Sequence, residues 1–129
     1  MACSNIVVIE DDDAIRETVK EVLNSEGYSV VAFKNGKEAI EQLANCSKPC
    51  LILLDLMMPV MDGWEFLEAR KNINDYIMAI PVVIVSAVVD KIKNSQGVKA
   101  YIKKPVDLDV LLSVVRNHCD HPQVVKQAA

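Results

Sequence analysis

The sequence predicts an α/β fold, a parallel β-sheet with helices on both faces. Three observations carry this expectation. Short unbroken apolar runs recur along the chain: Ile6-Val7-Val8-Ile9, Leu51-Ile52-Leu53-Leu54 and Val82-Val83-Ile84-Val85. Runs of this length and composition suit strands buried on both faces. Segments of helical period separate them, and a repeating strand–helix–strand order implies right-handed crossovers that cover both faces of a parallel sheet.

The elements follow in chain order. Ile6 to Ile9 is the first strand. Ile15, Val19, Val22 and Leu23 share one face of a first helix. Ser29 to Phe33 is more mixed in character and reads as a strand nearer a sheet edge. Ile40, Leu43 and Ala44 mark a short second helix, and Leu51 to Leu54 is a central strand. Phe66, Leu67 and Ile73 mark a third helix, with Asp62 as its cap and Glu65 placed to complete a capping box. Val82 to Val85 is the fourth strand. Ala100 to Lys103 is again mixed, a strand nearer an edge. Leu108, Leu111, Leu112 and Val115 form a last helix opened by Asp107. Gly27, Gly36, Gly63 and Gly97 fall at the predicted boundaries.

Composition sets the bounds. The chain has 129 residues, which fits one domain with one core: a core from about Ile6 to His118 and a tail over 119–129. It is 51% hydrophobic and 25% charged, ordinary for a soluble globular protein. No apolar run approaches bilayer length, and Met1 to Asn5 lacks the regions of a signal peptide, so the expected location is cytoplasmic, without a membrane partner. The net charge of −4 argues against direct binding of nucleic acid. Cys3, Cys46, Cys50 and Cys119 have no zinc spacing, and in the cytoplasm they are expected to stay reduced thiols. His118-Cys119-Asp120-His121 reads as a polar helix end followed by a loose tail rather than a metal site.

Asp55 is the anomaly. It ends the most apolar strand, and an ionised carboxylate beside a core is costly without a partner. In open parallel sheets, ligands bind outside the carboxyl ends of the strands. The first strand ends in Glu10-Asp11-Asp12-Asp13. If the two strands are neighbours, their acids share one crevice, and clustered carboxylates call for a cation. Hard oxygen ligands of this kind suit Mg²⁺, with a substrate phosphate completing the shell. Glu10 and Asp11, directly after the strand, are the expected ligands, whereas Asp12 and Asp13 are expected to cap the first helix. Ser86 ends the fourth strand and Lys104 follows the fifth. A hydroxyl and an ammonium facing that crevice are what a phosphoryl group needs to be held and neutralised.

These residues resemble the receiver domain of two-component response regulators. The matching stretches are Val8-Ile9-Glu10-Asp11-Asp12, Asp55-Leu56-Met57-Met58-Pro59 with Met61-Asp62-Gly63, Ser86-Ala87 and Tyr101-Ile102-Lys103-Lys104-Pro105. Five motifs in register cover about Ile6 to His118. The resemblance implies a flavodoxin-like, doubly wound five-stranded sheet of order 2-1-3-4-5. It implies Asp55 as the phosphoacceptor, assisted by Ser86 and Lys104. It implies Mg²⁺, replaceable by Mn²⁺, on Glu10, Asp11, Asp55 and the backbone carbonyl of Met57. Tyr101 would rotate when Ser86 moves toward the phosphate, and Lys104-Pro105 is often cis in the family. The implied role is that of a regulator rather than an enzyme, a phosphorelay switch fed by a sensor histidine kinase or phosphotransfer protein. It would signal through an unidentified protein target, as a monomer or weak homodimer.

Two rival classes share the architecture. A flavin-binding flavodoxin cradles phosphate after its first strand, where this chain has four acids. A haloacid-dehalogenase-type phosphatase resembles a strand ending in Asp-x-Asp, and position 57 here is Met. A receiver that binds its partner without being phosphorylated is a third reading, disfavoured by the intact acid set. Three expectations concern departures and ends. Nothing after the last helix resembles an output domain, so the expectation is either a stand-alone receiver, which the start at Met1 favours, or a fragment of a longer protein. Met57 and Val88 are apolar where the family orients attacking water, so the phosphoryl group is expected to be long-lived. The segment from Ala87 to Lys103 is shorter than the family's, leaving about one or two turns for its fourth helix.

Overall fold

The computed structural model describes residues 5–43, 49–73, 75–87 and 97–119. Five strands form one sheet: β1 (Asn5–Ile9), β2 (Ser29–Phe33), β3 (Pro49–Leu54), β4 (Val82–Ser86) and β5 (Val98–Lys103). All pairings are parallel and the order is β2-β1-β3-β4-β5. This is the flavodoxin-like sheet expected, with the two mixed strands at its edges. The helices are α1 (Asp13–Ser25), α2 (Gly36–Leu43), α3 (Gly63–Ala69), α4 (Asp75–Met78) and α5 (Leu108–His118).

The sheet separates two apolar layers, because successive strand residues face opposite sides. Val7, Ile9, Ile52, Leu54, Val82 and Ile84 pack with α2, α3 and α4 on one side. Ile6, Val8, Leu51, Leu53, Val83 and Val85 pack with α1 and α5 on the other. The unbroken aliphatic runs of β1, β3 and β4 are what two covered faces demand.

The caps form as the sequence requires. Asp12 accepts from the Ile15 N–H at 2.9 Å and opens α1. Asp62 and Glu65 complete a reciprocal capping box at the start of α3. Asp107 accepts from the Asp109 and Val110 N–H groups to open α5. The third helix is shorter than its periodicity predicts. It tightens into a 3₁₀ turn over Arg70–Asn72, and α4 is a separate single turn. Ile73 still packs on the core, so the apolar spacing holds although the helix has ended.

The cysteines differ from expectation. Cys50, in β3, is disulfide-bonded to Cys119 at the end of α5, 69 residues away. The expectation of free thiols rested on a reducing compartment, and nothing in the spacing of these two residues reveals that α5 returns across β3. The expected short helix before Gly97, with Val88, lies outside the described residues, as do Cys3, Cys46, His121 and the tail from 120.

Val60 adopts φ 69° on the loop after β3, with 73% of its surface exposed. A β-branched side chain is poorly suited to this left-handed region, which costs an ordinary residue about 1–2 kcal/mol. Asn tolerates that conformation, and little packing is lost at so exposed a position. We therefore expect Val60→Asn to raise unfolding stability by roughly 0.5–1 kcal/mol, as read by the urea midpoint at unchanged slope. A lower midpoint would mean that this turn is unstrained.

Candidate functional site: an acidic crevice at the carboxyl edge

The register of the central strands builds the site. Ile9 pairs with Leu54, so β1 and β3 end level with each other. The Asp55 N–H donates to the Ile9 carbonyl at 3.0 Å, and the Glu10 N–H to the Phe33 carbonyl at 3.0 Å. Two acids that follow level strands therefore emerge side by side. Both are buried, each 3% exposed, while Asp11 beside them is exposed. One oxygen from each of Glu10, Asp11 and Asp55 can be chosen so that all three lie within 4.8 Å of one another.

Lys104 enters from the other side. Ser86 pairs with Lys103 across β4 and β5, and the Lys104 N–H donates to the Ser86 carbonyl at 3.0 Å. The Lys104–Pro105 peptide is cis, as the resemblance implied. The Lys104 ammonium reaches back to lie 2.8 Å from Glu10 Oε1 and 3.3 Å from Asp55 Oδ2. One cation thus serves two buried carboxylates.

The titration behaviour follows from that shortage. Burial pushes the Glu10 carboxyl up to about 7, against the lowering hydrogen bond from Lys104, with the Asp55 charge raising it further. Burial alone would lower Lys104. The Glu10 hydrogen bond and the charges of Glu10 and Asp55 outweigh it and hold the ammonium above its ordinary value.

Further contacts fix the geometry. The Asp12 N–H donates to Glu10 Oε2 at 3.1 Å, and the Met57 N–H to Asp55 Oδ1 at 3.2 Å. Arg16, which its sequence position does not single out, donates from Nη1 to the Glu10 carbonyl at 3.0 Å. The Gly63 N–H donates to the Leu56 carbonyl at 3.0 Å, which pulls the start of α3 against β3's exit.

Of the residues read from the sequence, Glu10, Asp11, Asp55 and Lys104 converge. Ser86 is fully buried at the end of β4, level with this edge. Met57 is 62% exposed on the loop after Asp55. Tyr101 stands apart from the cluster: it is exposed on β5, two residues before the strand's end.

Comparison with known proteins agrees with this architecture. The response regulator receiver domain family matches residues 6–116, and the chain belongs to that family. It is 40% identical over 110 residues to the transcriptional regulatory protein CrdR of Helicobacter pylori, covering 82% of this chain and 50% of that protein. It is 37% identical over 117 residues to the probable transcriptional regulator ycf29 of Porphyra purpurea, covering 88% and 55%. The chain thus spans about half the length of these two relatives. Against sporulation initiation phosphotransferase F of Bacillus subtilis it is 32% identical over 120 residues, covering 92% and 95%. Among solved structures, a CheY-like receiver domain protein from Methanospirillum hungatei superposes with TM-score 0.76 at 29% identity, covering 89% of this chain and 92% of that one. Chemotaxis protein CheY4 of Vibrio cholerae shares the fold, with TM-score 0.79 at 23% identity over 90% and 98%.

The crevice depends on close backbone approach at Gly63. A Cβ there would stand 2.6 Å from the Asp55 carbonyl and 2.7 Å from the Leu56 Cα. Both are main-chain atoms and neither can move cheaply. Gly63→Ala should destabilise the fold by about 1–3 kcal/mol and shift the amide resonances of Asp55 and Leu56. Unchanged stability and resonances would show that α3 does not abut the site.

Proposed function

We propose that this chain is the phosphorylation switch of a two-component system, with Asp55 as the phosphoacceptor. The observation that carries this reading is one ammonium shared by two buried carboxylates, with a third acid at the rim. Three acids face one ammonium, so negative charge is left uncompensated, by two once Glu10 has lost its proton. A divalent cation balances that deficit, and an all-oxygen donor set suits a hard one. Glu10, Asp11, Asp55 and the Met57 backbone carbonyl would hold Mg²⁺, or Mn²⁺ in its place. When bound, the cation neutralises the oxygens of an incoming phosphoryl group.

The chain's own residues do the remainder. Asp55 presents its carboxylate at the mouth of the crevice and attacks the phosphorus of a phosphohistidine or small acyl phosphate. An O–P bond forms as the donor's N–P or O–P bond breaks, and the electron pair leaves with the donor. Lys104 lies within reach of Asp55 Oδ2 and donates to the transferred group. Ser86 supplies a hydroxyl from the neighbouring strand end, and Tyr101 reports its movement on the outer face of β5. The donor is a sensor histidine kinase or a phosphotransfer protein. The output is a contact with another protein, made by a cytoplasmic monomer or weak homodimer without direct binding of nucleic acid or membrane. The activity is regulatory: the chain catalyses its own phosphoryl transfer and slow hydrolysis. Among the described residues no helix is long and apolar enough to cross a membrane.

Mass spectrometry after acetyl phosphate treatment tests the assignment. One phosphoryl adduct should form with Mg²⁺ and vanish in chelator and in Asp55→Asn. An adduct that persists in either condition contradicts it.

A pH dependence follows from Glu10. A cation needs its carboxylate, while the cation-free protein holds the proton up to about pH 7. Binding below that value must release the proton, so apparent Mg²⁺ affinity should fall about tenfold per pH unit below about 7 and level off above it. A Mg²⁺ titration between pH 5.5 and 8.5 reads this directly, and a flat profile through that window would remove Glu10 from the ligand set.

The phosphoryl group should be long-lived, because Met57 beside Asp55 cannot hydrogen-bond an attacking water. Met57→Asn combined with Val88→Glu should quicken dephosphorylation by about tenfold or more. An unchanged decay rate would place the cause of the lifetime elsewhere.

A further inference from the structure

The opposite edge of the sheet carries a second reactive pair. Cys50 is the second residue of β3, and Cys119 directly follows α5. Their sulfurs are bonded, with Cα atoms 5.7 Å apart. That separation lies within the range a disulfide spans without backbone movement, so bonded and dithiol forms suit the same fold. Asp55 follows Cys50 by five positions along the strand, roughly 16 Å, so the pair is separate from the acidic crevice. Cys119 is 2% exposed, whereas Cys50 is only half-buried.

The bond acts on α5. The buried residues of that helix are Leu111 and Val115, and Cys119 continues the same stripe at the next helical spacing. Asp107 secures the first turn, and the last turn closes with the Cys119 N–H donating to the Val115 carbonyl at 2.8 Å. The disulfide is therefore the covalent anchor of the helix's last turn, beside the non-covalent contacts of His118 Nδ1 with the Val114 carbonyl at 2.9 Å and of Arg116 with Glu26 at 3.2 Å. Leu111, from the same stripe, lines a small cavity with Val106, Glu10 and Asp55, so the seating of α5 shapes the floor of the crevice.

We propose that Cys50 and Cys119 form a reversible thiol–disulfide site that sets how firmly α5 is held against the sheet, an input separate from phosphorylation. Oxidation consumes the disulfide form of a small thiol, such as glutathione disulfide. The Cys50 thiolate attacks one sulfur of the oxidant and one small thiolate leaves. The Cys119 thiolate then attacks the Cys50 sulfur and expels the second. Two protein thiols become one disulfide, the oxidant becomes two thiols, and the two protons pass to them. Disulfides in reducing compartments are chiefly transient or redox-sensing, which fits a bond made and broken on demand.

The test equilibrates the full chain in glutathione buffers of graded ratio, followed by thiol alkylation, peptide mass mapping and hydrogen exchange. A Cys50–Cys119 crosslink should accumulate at oxidising ratios and disappear with dithiothreitol. Amides of residues 111–118 should exchange about tenfold or more faster in the reduced form, with the centre of β1 unchanged. Cys50→Ser should match the reduced wild type under both conditions; should that variant not fold, the two wild-type forms alone decide. Both cysteines alkylated at the oxidising ratio, preferred bonding to Cys3 or Cys46, or equal exchange in the two forms would each overturn the proposal. None of these readouts involves Asp55, so their failure leaves the proposed function standing.

Discussion

The architecture of the functional edge depends on the Lys104 ammonium, which lies between Glu10 and Asp55 at 2.8 and 3.3 Å. Without it, two carboxylates would be buried together with only backbone donors to offset their desolvation, a costly arrangement. With it, the pair is tolerated but not satisfied, because one ammonium serves two carboxyl groups and burial raises the Glu10 carboxyl to about 7. That residual imbalance makes the crevice receptive. Under the proposed function it would draw a cation to the acids, and the same ammonium would meet the anion that the cation attracts.

The parallel sheet is what makes this economy of charge possible. β1, β3, β4 and β5 present their carboxyl ends to one edge, and the register sets Glu10 level with Asp55, with Ser86 and Lys104 one and two positions further along. Each side chain is thus set by main-chain hydrogen bonds several residues upstream in a rigid, doubly covered sheet. Loops supply only the adjustable parts: Met57 on the exposed turn after β3 and Asp11 at the rim.

The sequence was most legible where one physical rule acted alone. Runs of aliphatic residues marked the buried strands, and Asp62 with Glu65 marked the start of α3, because these signals are local. Asp55 stood out because a carboxylate after four aliphatic residues requires a reason. Legibility failed where tertiary placement decides. Arg70 begins the 3₁₀ turn that follows α3 and is fully buried, its Nε donating to the Leu67 carbonyl. Burial lowers its pKa, and a charged letter in a helical segment gives no hint of this. The Cys50–Cys119 bond depends on α5 recrossing β3, and the role of Arg16 depends on the Glu10 carbonyl turning toward α1. Neither fact is encoded in spacing.

If one ammonium and one divalent cation share the same carboxylates, they must compete. Mg²⁺ titrations of the wild type and Lys104→Met, followed by amide resonances at Glu10–Asp12 and Asp55–Met57, measure that competition directly. Removing the ammonium should tighten Mg²⁺ binding by about tenfold, since the acids then lack their internal counter-charge. The shifts should remain confined to those two segments. Equal or weaker binding in Lys104→Met, or shifts centred elsewhere, would contradict the view that this crevice is a cation site held in reserve by its own lysine.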